Sequence, residues 1–160
     1  MGTSSANDLA TIIGNRSLLS WHELFISHMQ SIDHHFDPGH KIDHVIRVTN
    51  NAIALAESEN ADLAIIVPAV ILHDTIPVGK FSKSRAKASQ LSAEHSIQLL
   101  TDWKYPAKYL PAIKHAILTH SFSAAMTPTT LEAKVVQDAD RLDALGAIGI
   151  ARTMAVGFKH

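Results

Sequence analysis

A histidine and an aspartate, His73 and Asp74, stand side by side directly after Ala64-Ile-Ile-Val-Pro-Ala-Val-Ile-Leu72, one of the most apolar runs in the chain. A helix built from that run is buried, so its end carries an imidazole and a carboxylate to the edge of the core. An unpartnered neutral polar group there costs roughly 2–7 kcal/mol, and an isolated charge far more. A divalent cation answers both demands, because it takes neutral imidazole and ionised carboxylate together. Three other places supply donors of the same kinds: His40-Lys-Ile-Asp-His44, His115 with His120, and Asp138-Ala-Asp-Arg-Leu-Asp143. Each alone has a bland explanation. His40 and His44 share a helix face as surface pairs do, and an imidazole suits the negative end of a helix. His115 and His120 do not share a face. Asp138, Asp140 and Asp143 sit among Val135, Val136, Leu142 and Leu145, where carboxylates repel one another unless a cation or Arg141 intervenes. Together the four places read as donors on different helices that converge on an ion.

The elements that must position these groups are helices. Trp21, Leu24, Phe25, Met29 and Ile32 form an i, i+3/i+4 stripe that Ser20 can cap. Asp37-Pro-Gly39 breaks the chain before a second helix from about His40 to Ser58, with Ile42, Val45, Ile46, Val48, Ile53 and Leu55 as its inner side. Asn60-Ala-Asp62 leads into the apolar helix, where Pro68 implies a kink or a later start. Thr75 to Lys87 carries Pro, Gly and basic residues and reads as a loop beside the suspected ligands. Helices resume at about Ser89–Trp103 and Pro106–Thr119, and Thr127-Pro-Thr-Thr130 caps a last segment through Leu131, Val135, Val136, Leu142, Leu145 and Ile148. The expected architecture is a single all-α bundle of about six helices, residues 19–160, behind a polar segment 1–18.

Composition narrows the function. The 160 residues are 46% hydrophobic with formal net charge −1, which suits one globular domain and gives no footprint for a nucleic-acid polymer. Eleven histidines and no cysteine leave nitrogen and oxygen as the only metal donors. No apolar run approaches the ~18 residues of a membrane span, and the start lacks secretory-signal character. A cytoplasmic setting is expected. Trp21, Trp103, Phe25 and Tyr109 are scattered and fit packing rather than base stacking, and His22, His28, His34, His35 and His95 fit structural or surface positions.

The order His44, His73-Asp74, Ala139-Asp-Arg-Leu142 resembles the HD-domain metal-dependent phosphohydrolase superfamily. Ser92-Ala-Glu-His95, His115-Ala-Ile-Leu-Thr-His-Ser-Phe-Ser123 and the long run from Glu132 to Arg152 resemble one small bacterial branch of it, and the likeness spans about residues 20 to 157. The resemblance implies an all-α fold with His44, His73, Asp74 and Asp140 as ligands of one divalent ion, and Asp138 as a carboxylate orienting a ligating histidine. Members often have His-Asp where this chain has His40-Lys41, and usually run on past the position of His160, where a further helix would cover the site.

Such a donor set suits Mn²⁺, Fe²⁺, Co²⁺, Ni²⁺ or Mg²⁺ and leaves positions for water and a phosphoryl oxygen, the requirements of phosphoester or phosphoanhydride hydrolysis. Lys80, Lys83, Arg85 and Arg141 are the candidates to neutralise the phosphate, and His115 and His120 the candidates for phosphate contact, acid catalysis or a second ion. The expected substrate is a small phosphorylated compound, a nucleotide first, with monophosphatase or triphosphate pyrophosphohydrolase activity. The alternative is a nucleotide-binding regulator without turnover. Apolar faces suffice for a homodimer, though nothing requires one.

Overall fold

The computed structural model describes residues 9–32, 42–76, 87–121, 124–146 and 149. Among them are six α-helices and one short hairpin. The hairpin pairs β1 (Ile12–Ile13) with β2 (Arg16–Ser17), Ile12 opposite Ser17. Gly14 turns it at φ +67°, where any side chain would be strained and its Cβ would sit 3.1 Å from Pro106 Cγ. Strands of two residues leave no alternating pattern to read.

Helix α1 (Leu18–Ser31) is capped by Ser17, whose hydroxyl accepts from the Ser20 amide, so the expected cap at Ser20 moves upstream. The reason is Leu18, which belongs to the buried stripe Leu18, Trp21, Phe25, Met29. Trp21 Nε1 donates to the Ile13 carbonyl at 2.9 Å, and Ile13 is buried. The packed body therefore begins before residue 19. Trp21 lies 5.0 Å from Tyr105 and Phe25 lies 5.7 Å from Trp103, centroid to centroid, so aromatics scattered in sequence meet in one interior cluster.

Helix α2 (Ile42–Glu59) buries His44, Val45, Val48, Thr49, Ala52 and Ala56. Ile46 is 42% exposed, and Ile53 and Leu55 are half-buried, so the inner stripe is rotated from the expected one. Its small alanines let α2 lie close against α3 (Leu63–Leu72), which is buried almost all round and packs against every other helix. Asp62 caps α3 through the Ala64 amide at 2.8 Å. Pro68 neither ends nor delays this helix. Its ring nitrogen has no hydrogen for the Ala64 carbonyl one turn back, and the Tyr105 hydroxyl donates to that carbonyl instead at 2.6 Å.

Helices α4 (Ala88–Asp102), α5 (Leu110–Thr119) and α6 (Leu131–Leu142) complete the bundle, with a 3-10 turn at Ala107–Tyr109. Thr130 caps α6 through the Ala133 amide at 3.2 Å. The inner face of α6 is Ala133, Val135, Val136, Gln137 and Ala139, whereas Leu131, Leu142 and Leu145, expected inside, are exposed; Ile148 lies outside the described residues. Gln137 Nε2 donates to the Thr119 carbonyl at 2.7 Å and ties α6 to the end of α5. No helix among the described residues is long and apolar enough to cross a membrane.

Removing the Tyr105 hydroxyl leaves the Ala64 carbonyl buried without a donor, so Tyr105→Phe should destabilise by about 1–3 kcal/mol in urea unfolding. In a Pro68→Ala background, where residue 68 regains an amide, the same deletion should cost less. Equal cost in both backgrounds would disprove the substitution of one donor for the other.

Candidate metal centre

Helix α3 ends at Leu72 and α5 at Thr119, which makes His73 and His120 their C-caps. The last carbonyls of a helix have no amide partner inside it. Each histidine takes one of them: His73 Nδ1 donates to the Val70 carbonyl at 2.7 Å, and His120 Nδ1 to the Ile117 carbonyl at 2.6 Å. A carbonyl only accepts, so both rings carry their proton on Nδ1 and turn Nε2 to the cluster. His44 stands in the opening turn of α2. Its Nδ1 donates instead to Asp143 Oδ2 at 2.7 Å, on the C-cap residue of α6.

Two overlapping trios result, His44–His73–Asp140 and His73–Asp74–His120, the donor atoms of each lying within 4.8 Å of one another. His44 Nε2 lies 3.4 Å from Asp140 Oδ1, and His73 Nε2 lies 3.4 Å from Asp74 Oδ2 and 3.9 Å from Asp140 Oδ1. His120 Nε2 lies 3.9 Å from Asp74 Oδ1. An ion with bonds of roughly 2.1 Å holds neighbouring ligand atoms about 3 Å apart, so a small contraction suffices. The imidazoles form a buried floor, while Asp74 and Asp140 are 22% and 27% exposed and form a partly exposed rim. His73 Nε2 is buried with no hydrogen-bond partner, the kind of atom that a metal satisfies. The donors thus fit a divalent ion. Helix C-termini at His73, His120 and Asp143 add negative potential.

Without a metal, the charges organise around a proton. Burial opposes a charged His73, yet the neighbouring Asp74 carboxylate, with Asp140 and the Val70 carbonyl, outweighs it and raises the pKa to about 9. Burial and the neighbouring His73 push the His120 pKa down, which favours its neutral form. Burial opposes ionised Asp140, but contact with His44 and the charges of His73 and His120 bring it down to about 2.

The segment after Asp74 is pinned to α4. Ser96 Oγ donates to the Leu72 carbonyl at 3.0 Å and lies 3.3 Å from Thr75 Oγ1, and the Ile76 amide donates to Ser92 Oγ at 3.3 Å. Ser92 opens one of the motifs singled out from sequence.

Not every expected residue joins the cluster. Asp138 is exposed on α6; the carboxylate that orients a histidine is Asp143, because it lies one turn beyond Asp140 while Asp138 falls on the outer face. His115 is engaged elsewhere, its Nε2 accepting from the Thr129 amide at 3.1 Å with Thr129 Oγ1 at 3.0 Å, which ties α5 to the approach of α6. Arg141 is exposed beside Asp140, and Lys80, Lys83 and Arg85 lie outside the described residues. Asp143 and Arg47 were missed as partners of His44. The signal was the i, i+3 spacing of His44 with Arg47 and of Asp140 with Asp143, which puts each pair on one helix face.

A bundle of this kind, with histidines at helix ends facing carboxylates of a later helix, defines a class, and the HD domain family model matches residues 42–145. The chain belongs to the HD domain family, whose members bind divalent metals. It is 37% identical over 128 residues to YpgQ of Bacillus subtilis (strain 168), an uncharacterized protein, covering 78% of this chain and 60% of that one. The chain therefore spans less than two thirds of that relative. Among solved structures, YpgQ in complex with ADP superposes with a TM-score of 0.66 at 35% identity, over 88% of this chain and 68% of YpgQ. A predicted HD superfamily hydrolase from an uncultured Thermotogales bacterium gives 0.64 at 32%, over 86% and 75%. An HD-superfamily hydrolase from Bacillus thuringiensis gives 0.66 at 33%, over 88% and 66%.

The raised pKa of His73 has two consequences. In the metal-free protein its stabilising contribution is complete below about pH 6.5 and is lost as pH rises through about 9. An ion must also displace that proton, so Mn²⁺ affinity should climb between about pH 7 and 8.5, with close to one proton released per ion. Calorimetry in buffers of different ionisation enthalpy reads the count. Affinity independent of pH across that window would contradict the assignment.

Proposed function

We propose that this chain is a divalent-metal-dependent phosphohydrolase acting on a small phosphorylated compound, a nucleotide before others. The observation that carries the reading is the buried Nε2 of His73, without a hydrogen-bond partner and facing Asp74 and Asp140. His44, His73, Asp74 and Asp140 are the proposed ligands. When bound, the ion supplies Lewis acidity toward a phosphoryl oxygen and acidifies water.

The residues of the chain do the rest. His44, His73 and His120 present lone pairs at fixed positions because their other nitrogens are spent on Asp143, Val70 and Ile117. His73 has one nitrogen to give, so the two trios that share it cannot each hold a separate ion through it. This favours one ion over two. His120, with its pKa lowered, suits a fifth donor or an acceptor of a proton from attacking water better than an acid for the leaving group. Lys80, Lys83, Arg85 and Arg141 remain the proposed phosphate contacts.

The nucleotide preference is supported by the ADP seen on YpgQ. Monophosphatase and triphosphate pyrophosphohydrolase activities are the reactions to assay, each releasing a phosphate or pyrophosphate group to water.

A screen of nucleoside mono- and triphosphates with Mn²⁺, Co²⁺, Ni²⁺ or Mg²⁺ should find hydrolysis that Asp74→Ala and Asp140→Asn each lower at least ~100-fold in kcat/KM, about 3 kcal/mol of transition-state stabilisation. Equal activity in wild type and Asp74→Ala would reject this site. Tight nucleotide binding with no turnover under any of these ions would favour the regulatory alternative.

A further inference from the structure

His73 and His120 are anchored by carbonyls of their own helices, and those acceptors come with any helix end. His44 is held differently, by a group on another helix. Its anchor arrives from ninety-nine residues away in Asp143, a buried carboxylate that sits on the C-cap of α6. That carboxylate is gripped a second time, by the fork of Arg47, with Nε donating to Oδ1 at 2.6 Å and Nη2 to Oδ2 at 3.1 Å. Arg47 lies one turn along α2 from His44, so the imidazole and the guanidinium approach the carboxylate from the same helix.

This arrangement controls two properties of His44 at once, and the carboxylate that does so is itself held. Either nitrogen of a neutral imidazole can carry the proton, and only an acceptor at Nδ1 selects the tautomer with its lone pair on Nε2. Rotation of the ring about χ2 is blocked by the 2.7 Å bond. The carboxylate cannot swing away, because the two parallel donors of an arginine fork fix its plane. A lysine at position 47 supplies charge without the fork.

We propose that Arg47 and Asp143 are positioning residues for metal uptake, which hold His44 with Nε2 toward Asp140 and His73 and so set the affinity of the centre. They touch neither the ion nor the substrate. The inference rests on the metal-site reading above, and it adds two residues and a stated role to it.

The test is Mn²⁺ affinity by isothermal titration calorimetry, with the unfolding temperature of metal-free protein measured in parallel. Asp143→Asn keeps the volume but loses the charge, and should weaken Mn²⁺ binding by roughly 10–100-fold, the usual consequence of removing a partner behind a metal ligand. Arg47→Met should also weaken it, Arg47→Lys by less. The double variant Arg47→Met/Asp143→Asn should bind no more weakly than Asp143→Asn alone, because both act through His44.

A purely structural strut between α2 and α6 would lower the unfolding temperature and leave Mn²⁺ affinity within about twofold of wild type. That result overturns the inference while the metal site stands. Additive losses in the double variant overturn it too. Wild type that binds no divalent ion overturns both readings together. Arg47→Lys, at a partly exposed position, keeps the test in force should Asp143→Asn fail to fold.

Discussion

Three imidazoles in this protein each spend Nδ1–H on a fixed acceptor, and the geometry of the centre depends on that commitment. For His73 and His120 the acceptor is a carbonyl in the last turn of the helix that each one caps. A helix must leave those carbonyls unpaired, so its own end provides both the anchor and a negative potential. For His44 the same role falls to Asp143 at the end of α6, a carboxylate that Arg47 of α2 grips in turn. The result is a floor of nitrogen lone pairs beneath two partly exposed carboxylates.

Helix α3 makes the floor possible. Because it is apolar on every side, it sits at the centre of the bundle, and its end delivers His73 to where α2, α5 and α6 converge. The proline in its middle would leave a carbonyl unpaired deep inside, and Tyr105 supplies the missing donor. Burial of α3 and the burial of the imidazole at its end are thus one design. The side chains that make the helix central also carry two ionisable groups into a place where only a cation, or a proton on His73, reconciles them.

Much of this was legible in the sequence. The continuous apolarity of residues 64–72 marked a buried helix, and the dipeptide after it marked a polar end that needed compensation. Caps such as Asp62 and Thr130 act as their side chains allow, through single hydrogen bonds to nearby amides. What periodicity misjudged was rotation. On α2 the stripe was placed on the bulkiest residues, but Ile46 faces outward while the smaller Ala52 and Ala56 are buried. On α6 the same bias toward leucines hid the inner face, and the family resemblance suggested Asp138 where Asp143 is the carboxylate on His44. Composition cannot tell which of three acidic residues lies inward; only helix rotation decides that. Contacts between distant segments, such as Tyr105 with Ala64, leave no local mark at all.

The central claim is that His44 and His73 offer Nε2 to one ion while Nδ1 keeps its proton. Long-range ¹H–¹⁵N correlation spectra of the imidazoles, recorded with and without a diamagnetic divalent ion such as Cd²⁺, address it directly. On addition of the ion the Nε2 resonances of both rings should move to the range of a coordinated nitrogen, with Nδ1 still protonated. Coordination through Nδ1, or spectra that do not respond to the ion, would contradict the account.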